Sequence, residues 1–233
     1  MARVAALVLV LSTAAAGAAV ALAAQSPRAL RASIFATARE QHSVHYVERG
    51  AAGNVLRQTM VADVAGNRGI QRIVFTIQGR KGLFTVIVVN RLAYVRGNAF
   101  ALQSNLGFTP AQATQYDGRW ISVPPGNTKY KDLAASVTLP SFLHDIYPTA
   151  PLGLATMTLG TRKITGVRGV HRESGLKFLE AVFPDSKLRP LGVSDVDASK
   201  GFIDAIRISR WNERVHVTAP ANAVPISTIL TPA

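Results

Sequence analysis

Residues 70–97 read IQRIVFTIQGRKGLFTVIVVNRLAYVRG, three short apolar segments separated by residues typical of tight turns. The turns at 79–82 and 90–91 predict three antiparallel strands joined as a meander. Side chains of a strand point alternately to its two faces. The middle strand, residues 83–89, is apolar on both faces. Both faces of this strand must therefore be shielded from water.

A helical stretch follows this meander directly. Asn98 can cap a helix that ends at Gly107, and residues 109–110 can start a second helix that ends at 117–118. Residues 119–123 then return to strand. Because the helical residues offer an apolar surface, we expect these helices to cover one face of the meander.

Further elements are predicted on both sides of this stretch. Ser26 and Pro27 start an amphipathic helix, and strands are predicted at 43–49 and 55–64. Residues 131–147 predict a helix in two pieces, broken before Pro140. The C-terminal third predicts strands separated by Gly, Pro, Asp or Ser, at 156–160, 164–172, 176–183, 191–196, 202–209 and 215–217.

The order of these elements predicts the architecture. A helix, a strand meander, mid-chain helices and a second set of strands favour an α+β fold with an antiparallel sheet. A long meander of twisted strands tends to curl, and its dry face needs cover. We therefore expect a curved antiparallel sheet, a half-barrel, with the helices covering its concave face.

The N-terminal residues form a segment of their own. Arg3 is the only charged residue before position 25, and residues 4–24 are a run rich in Ala, Val and Leu. This composition is typical of a secretory signal, and the run could also serve as an uncleaved anchor. We predict residues 1–24 as signal peptide or anchor, 25–220 as a single half-barrel domain, and 221–233 as a flexible tail.

Composition and charge exclude several classes of function. The chain has no cysteine, which excludes disulfides, thiolate metal sites and a lipid-modified cysteine. Its 26 Lys and Arg against 13 Asp and Glu leave a formal charge of +13. The basic residues are spread singly, and the expected export argues against a nucleic-acid partner. Two interpretations stay open: a solvated arginine-rich surface, and attraction to an anionic membrane surface.

Motifs typical of catalysis are missing from the sequence. It has no Gly-x-Ser-x-Gly, no HExxH and no phosphate-binding glycine loop. His42 and His45 would point to opposite faces of a strand, because an odd offset changes the face. The remaining histidines stand without a nucleophile signature. The sequence therefore predicts no enzyme, no metal site and no cofactor.

Three strings together carry a resemblance to a known family. They are GRWISVP at 118–124, TGVRGVHRESGLKFLEAVF at 165–183 and RISRWNERVHVTAP at 207–220. With the exported start and the order of elements, the chain resembles the LolA-like periplasmic lipoprotein-carrier fold, and within it the LppX/LprG-type lipid-binding proteins. The LppX/LprG proteins carry a lipidated cysteine, whereas this chain has none.

The resemblance implies an exported carrier or chaperone that holds a lipid or acylated ligand in a hydrophobic cavity between sheet and helices. Such a cavity needs only apolar walls, since each buried CH₂ group contributes about 0.8 kcal/mol. Ordinary core packing is the competing interpretation of every wall residue. The alternative function is a periplasmic sensor or regulatory protein that binds a membrane-protein partner. The candidate cavity residues are Phe75, Ile77, Phe84, Val86 and Val88 from the sheet, and Leu102, Leu106, Phe142, Leu143 and Ile146 from the helices.

Overall fold

The structure, a computed structural model, describes residues 25–173, 176–197 and 201–229. Its strands form one sheet of 12 strands. Residues 1–24, which carry the predicted signal, lie outside the described residues. The strands are β1 (Ser43–Ala52), β2 (Leu56–Ala65), β3 (Gly69–Ile77), β4 (Arg80–Val89), β5 (Leu92–Gly97), β6 (Ile121–Val123), β7 (Thr149–Leu159), β8 (Arg162–Glu173), β9 (Leu176–Pro184), β10 (Pro190–Asp197), β11 (Phe202–Ser209) and β12 (Val224–Pro225).

Short helices accompany the sheet. None of the helices in the described part of the chain is long and apolar enough to cross a bilayer. The helices are α1 (Pro27–Arg39), α2 (Ala99–Leu106), α3 (Pro110–Gln115), α4 (Tyr130–Ala134) and α5 (Leu139–Asp145), and a 3₁₀ turn follows at Ile226–Thr228.

The sheet order joins two meanders side by side. The strands run β12-β6-β5-β4-β3-β2-β1-β11-β10-β9-β8-β7, and the two meanders meet where β1 pairs with β11. Neighbouring strands are antiparallel except β12 and β6, which pair in parallel. The sheet is open, with β7 and β12 at its edges. The predicted α+β fold, a curved antiparallel half-barrel with helices over its concave face, is confirmed.

Helix starts follow the predicted caps. The Ser26 hydroxyl accepts a hydrogen bond from the Ala29 amide at 3.2 Å, and the Asn98 side chain accepts one from the Ala101 amide at 3.0 Å. Thr109 forms a capping box, the reciprocal pair of hydrogen bonds that satisfies two free amides of a helix start. These local contacts explain why the predicted helix starts agree with the structure.

The mid-chain helix is broken before Pro140, as predicted. The break falls at residues 135–138, between α4 and α5, and Pro140 lies in the first turn of α5. A proline in the first turn costs no helical hydrogen bond, because that amide has no partner within the helix. Pro140 is therefore compatible with the start of α5 behind the cap of Thr138.

Two of the predicted C-terminal strands need correction. β7 begins at Thr149, seven residues before the predicted start at 156 (156 − 149). The predicted strand at 215–217 is wrong, since these residues are not part of the sheet. They cross the opposite, convex face, where Val217 packs against Ile87, Val89 and Tyr94. Their alternating pattern reflects one-sided packing on that face, which period-two spacing alone does not distinguish from a strand.

Part of the predicted tail is placed in the sheet. Val224 donates its amide to the Trp120 carbonyl at 2.9 Å, and β12 pairs with β6. Ile226 is fully buried. Three apolar residues in this short segment suffice for docking at a sheet edge, although they are too few for a periodic pattern. Residues 230–233 lie outside the described residues.

Two apolar clusters fill the space between the concave face and the helices. The first, which we call the β4 cluster, joins β3–β6 with α2, α3, α4 and the 3₁₀ turn. The second, which we call the β1 cluster, joins β1, β2 and β8–β11 with α1 and α5. Partly buried Ile73 packs against both.

Tyr46 anchors the helical layer to the centre of the concave face. Its ring stacks on Phe142 of α5 with centroids 4.2 Å apart. The Tyr46 hydroxyl donates to the Ser136 carbonyl at 2.8 Å and accepts from the Gln71 Nε2 at 2.9 Å. Burial, followed by the nearby charge of Glu48, raises the pKa of the Tyr46 hydroxyl above its ordinary value. The connection between α4 and α5 is thereby fixed to β1 and β3.

Candidate functional site

The structure divides the ten predicted cavity residues between the two clusters. All ten face the space between sheet and helices, and whether they contact a ligand stays a prediction. Phe142, Leu143 and Ile146 belong to the β1 cluster. The other seven belong to the β4 cluster or pack against it, namely Phe75, Ile77, Phe84, Val86, Val88, Leu102 and Leu106.

Within the β4 cluster, sheet and helix are in direct contact. A Cβ atom added at Gly97 would lie 2.9 Å from Phe84 Cδ2 and 3.1 Å from the Ala101 Cβ. Leu102 and Leu106 are at most 1% exposed. A side chain with no accessible surface borders no void of the size of a water molecule. In this conformation α2 therefore closes directly on β4, and room for an acyl chain requires α2 to move.

The β1 cluster borders an open apolar groove, which we call the rim groove. It has a volume of ≈ 680 Å³, within the range of about 300–1,000 Å³ typical of ligand pockets. The groove lies between the end of α1, the β2–β3 turn and α5. Its lining residues are Arg39, Gln41, Gly66, Leu139, Pro140, Leu143, His144 and Tyr147.

Of the ten predicted cavity residues, Leu143 lines the rim groove. Sequence reasoning identified Leu139 only as part of an apolar helix face, and it missed Tyr147 and the residues of α1 as wall residues. The groove combines three segments, at 39–41, at 66 and at 139–147. The amphipathic pattern of α5 was the available signal, but it did not show that α1 and the β2–β3 turn lie beside this helix.

A polar groove of ≈ 570 Å³ continues from the rim groove, with which it shares Gln41 and Gly66. Beyond it, a polar pocket of ≈ 280 Å³ lies on the convex side of β1 and β2. There His45 Nδ1 lies 2.8 Å from Asp63 Oδ1, and Arg210 Nη2 donates to the same oxygen at 3.2 Å. These contacts hold the C-terminal segment against the sheet, and no hydroxyl or thiol nucleophile is aligned with the imidazole of His45 among the contacts of the described residues.

The concave face also carries a row of carboxylates, which the sequence did not predict. Glu180 lies opposite Asp195 in the register of β9 and β10, and Asp195 lies opposite Asp204 in β10 and β11. Glu180 is fully buried, and neither of its carboxyl oxygens has a hydrogen-bond partner in the described part of the chain. Burial, then the charges of Asp195 and Asp145, raises the pKa of Glu180 to about 9.

The convex face carries exposed arginines, whereas the carboxylate row lies on the concave face. Register places Arg207, Arg72 and Arg96 in one row across β11, β3 and β5, and all three are exposed. Arg49 and Arg57 are exposed nearby on β1 and β2. An apolar row on the same face consists of Leu179, Val196 and Ile203, which are 52%, 38% and 60% exposed.

Comparisons with known proteins show similarity in structure and none in sequence. No protein-family model matches the chain, and no curated protein matches it. LprF from Mycobacterium bovis is 12% identical with a TM-score of 0.51, over 84% of this chain and 97% of LprF. The lipoprotein LppX from Mycobacterium tuberculosis is 17% identical with a TM-score of 0.49, over 83% of this chain and 100% of LppX.

A LolA superfamily protein from Nitrosomonas europaea is 12% identical with a TM-score of 0.28, over 83% of this chain and 96% of that protein. The likeness to LprF shows a shared fold. The predicted resemblance therefore holds for the fold, which this chain shares with LprF. At these identities the similarity concerns the fold alone.

Proposed function

We propose that this protein is an exported, non-catalytic carrier or chaperone of the cell envelope that binds a lipid or another acyl-bearing ligand. The observation that carries the proposal is the rim groove, an apolar groove of ≈ 680 Å³ beside the buried β1 cluster. The fold shared with LprF and the resemblance to LppX/LprG-type proteins support it. The signal-like composition of residues 1–24 supports export.

An acyl chain enters at the rim groove and extends toward the β1 cluster. Leu143 lines the groove, and Phe142 and Ile146 of the same segment are buried behind it. The chain follows these side chains when α5 shifts away from the sheet. Six buried CH₂ groups would contribute about 5 kcal/mol toward the cost of that shift.

The Pro140→Asp variant tests the groove without disturbing the helix. Pro140 is exposed in the first turn of α5, a position where an aspartate stabilises a helix. The carboxylate of an aspartate at this position would lie in the apolar wall of the rim groove. We expect a fluorescent fatty-acid probe to bind about tenfold more weakly to the variant, a loss of about 1.4 kcal/mol.

Pro110→Asp is the matched control. Pro110 is likewise an exposed proline in the first turn of a helix, at the first position of α3 behind the capping box of Thr109, and is not among the rim-groove residues. Equal affinity of the two variants would contradict a binding site at the rim groove. Native mass spectrometry of protein from its own host, followed by lipid extraction, would identify the natural ligand, and protein free of lipid would count against the proposal.

We also propose that the convex face docks on an anionic membrane surface. Its exposed arginines share this face with the apolar row of Leu179, Val196 and Ile203. Each basic residue at such a surface contributes about 1 kcal/mol. In the alternative function this protein is a periplasmic sensor, and its membrane-protein partner would bind the same face.

Sedimentation with protein-free vesicles distinguishes these two partners. We expect binding to phosphatidylglycerol vesicles that weakens with salt, and weakening by about tenfold or more when Arg49 and Arg57 are both replaced by glutamine. Replacing Arg162 and Lys163, at the start of β8, serves as control. Binding only to membranes that contain protein would favour the membrane-protein partner.

A further inference from the structure

The carboxylate row of the concave face is unused by the proposed acyl site. Glu180, Asp195 and Asp204 lie directly opposite one another in three adjacent strands. Like charges in directly opposed positions of a sheet destabilise it. Three acids in one row are also conspicuous in a chain with a formal charge of +13, where basic residues outnumber acidic ones two to one.

Glu180 is the member of the row that points to a ligand. It is 0% exposed, and among the described residues no group donates a hydrogen bond to either carboxyl oxygen. His171 Nδ1 lies 3.7 Å from Glu180 Oε2, which is too long for a hydrogen bond. Burying a carboxyl group without hydrogen bonds costs free energy, and burying it as an anion costs several kcal/mol.

Other charged groups around Glu180 come from several elements. β8 contributes His171, β10 contributes Asp195, and Asp145 of α5 is close enough to act on Glu180 through its charge. The negative charges of Asp195 and Asp145 favour the protonated form of Glu180, and burial favours it further.

An apolar row lies next to the acidic row on the same three strands. Two residues along each strand from the acids are Val182, Val193 and Ile206, all buried. Side chains two residues apart on a strand lie about 7 Å apart on the same face. The concave face thus changes from apolar to acidic over about 7 Å. A surface that binds an amphiphile needs such a boundary, because one side contacts the chain and the other contacts the polar head group.

We propose that the concave face, once α5 has shifted away from the sheet, binds an amphiphile that bears a protonated amine, with its ammonium group at the carboxylate row beside Glu180 and its chain on the apolar row. This inference rests on the proposed function and specifies its ligand. An ammonium group has three donors, which neighbouring carboxylates of the row can accept because adjacent strands lie about 4.8 Å apart. On binding, Glu180 transfers its proton to solvent and the resulting carboxylate accepts from the ammonium group.

An organic cation fits this row better than a metal ion. Within the described ranges, no group of three or more His, Asp or Glu residues is placed to hold a metal. The formal charge of +13 repels any cation at long range, including an ammonium group. Selective binding of a cationic amphiphile would therefore show that a local acidic site attracts it, because the average charge of the surface does not.

Isothermal titration calorimetry of the full chain with decylammonium and with decanol, both below their aggregation concentrations, tests the inference. At pH 7 we expect decylammonium to bind at least about tenfold more tightly, which is the effect of one charge-assisted contact. Titrations in two buffers of different ionisation enthalpy should show release of about one proton for decylammonium and none for decanol.

Glu180→Gln should abolish both the preference and the proton release while leaving decanol binding unchanged. Asp117→Asn, which removes an exposed acid outside the row, should change neither. Equal binding of the two probes to the unmodified protein would overturn the ammonium site and leave the acyl site standing. Binding of neither probe would overturn both, and a preference that persists in Glu180→Gln would overturn the role of this row.

Discussion

Replacing Gly69 by alanine is expected to destabilise the protein by about 3 kcal/mol, as overpacking of a rigid site does. A Cβ atom at this position would overlap the Val137 carbonyl oxygen, far inside the 3.0 Å that real Cβ contacts respect, and would lie 3.1 Å from the Asp63 carbonyl oxygen. Both obstacles are backbone atoms, which cannot rotate away. Val137 belongs to the connection between α4 and α5, so this glycine lets the helical layer rest directly on β3.

Urea unfolding monitored by circular dichroism measures this loss. Gly66→Ala is the matched control, since it lies in the turn just before β3 and an added Cβ there would meet nothing within 4 Å. We expect the control to change the free energy of unfolding by less than about 0.5 kcal/mol. A loss for Gly69→Ala as small as that of the control would contradict this expectation. It would show that the connection between α4 and α5 moves to make room for the extra methyl group.

Glu180→Gln is expected to remove a strong pH dependence of stability. Burial, together with Asp195 and Asp145, raises the pKa of Glu180 from the ordinary 4.5 to about 9 in the folded protein. Between these values the folded state keeps a proton that the unfolded state has released. Stability contributed by this group is therefore present below the ordinary pKa and declines as pH rises toward the folded pKa.

The decline amounts to about 1.4 kcal/mol per pH unit, or roughly 4 kcal/mol between pH 5.5 and 8.5. Glutamine cannot titrate, so the difference in unfolding free energy between variant and unmodified protein should grow in favour of the variant over this interval. Urea unfolding at pH 5.5, 7 and 8.5 measures it, with Asp117→Asn as control. Parallel pH profiles of the variant and the unmodified protein would show that Glu180 ionises normally in the folded state.

Local patterns predicted the elements of the first meander well. The strands expected within 70–97 correspond to β3, β4 and β5, because alternation and turn residues act over a few neighbouring positions. The same local logic failed at 215–217, where alternation reflects packing on the convex face. It also missed residues 224–228, whose docking depends on the distant β6 edge.

The candidate site shows a different limit. Phe84 and Leu102 were recognised as apolar, but apolar character does not tell whether the neighbouring volume holds protein or a void. The small residues Gly97 and Ala101 let α2 close on β4 at this point. Leu143, with the same apolar character, borders an open groove because α1 and the β2–β3 turn leave space beside it.

The sequence by itself determined most strand and helix positions, the α+β class and the lack of cysteine chemistry, because these depend on composition and on contacts between near neighbours. Tertiary structure alone decided that β1 pairs with β11, across 150 residues of chain (202 − 52). That pairing aligns the second meander with the first, and the register within β9, β10 and β11 places three separate acids in one row. The rim groove likewise depends on three distant segments, whose relative placement follows from the packing of the whole concave face.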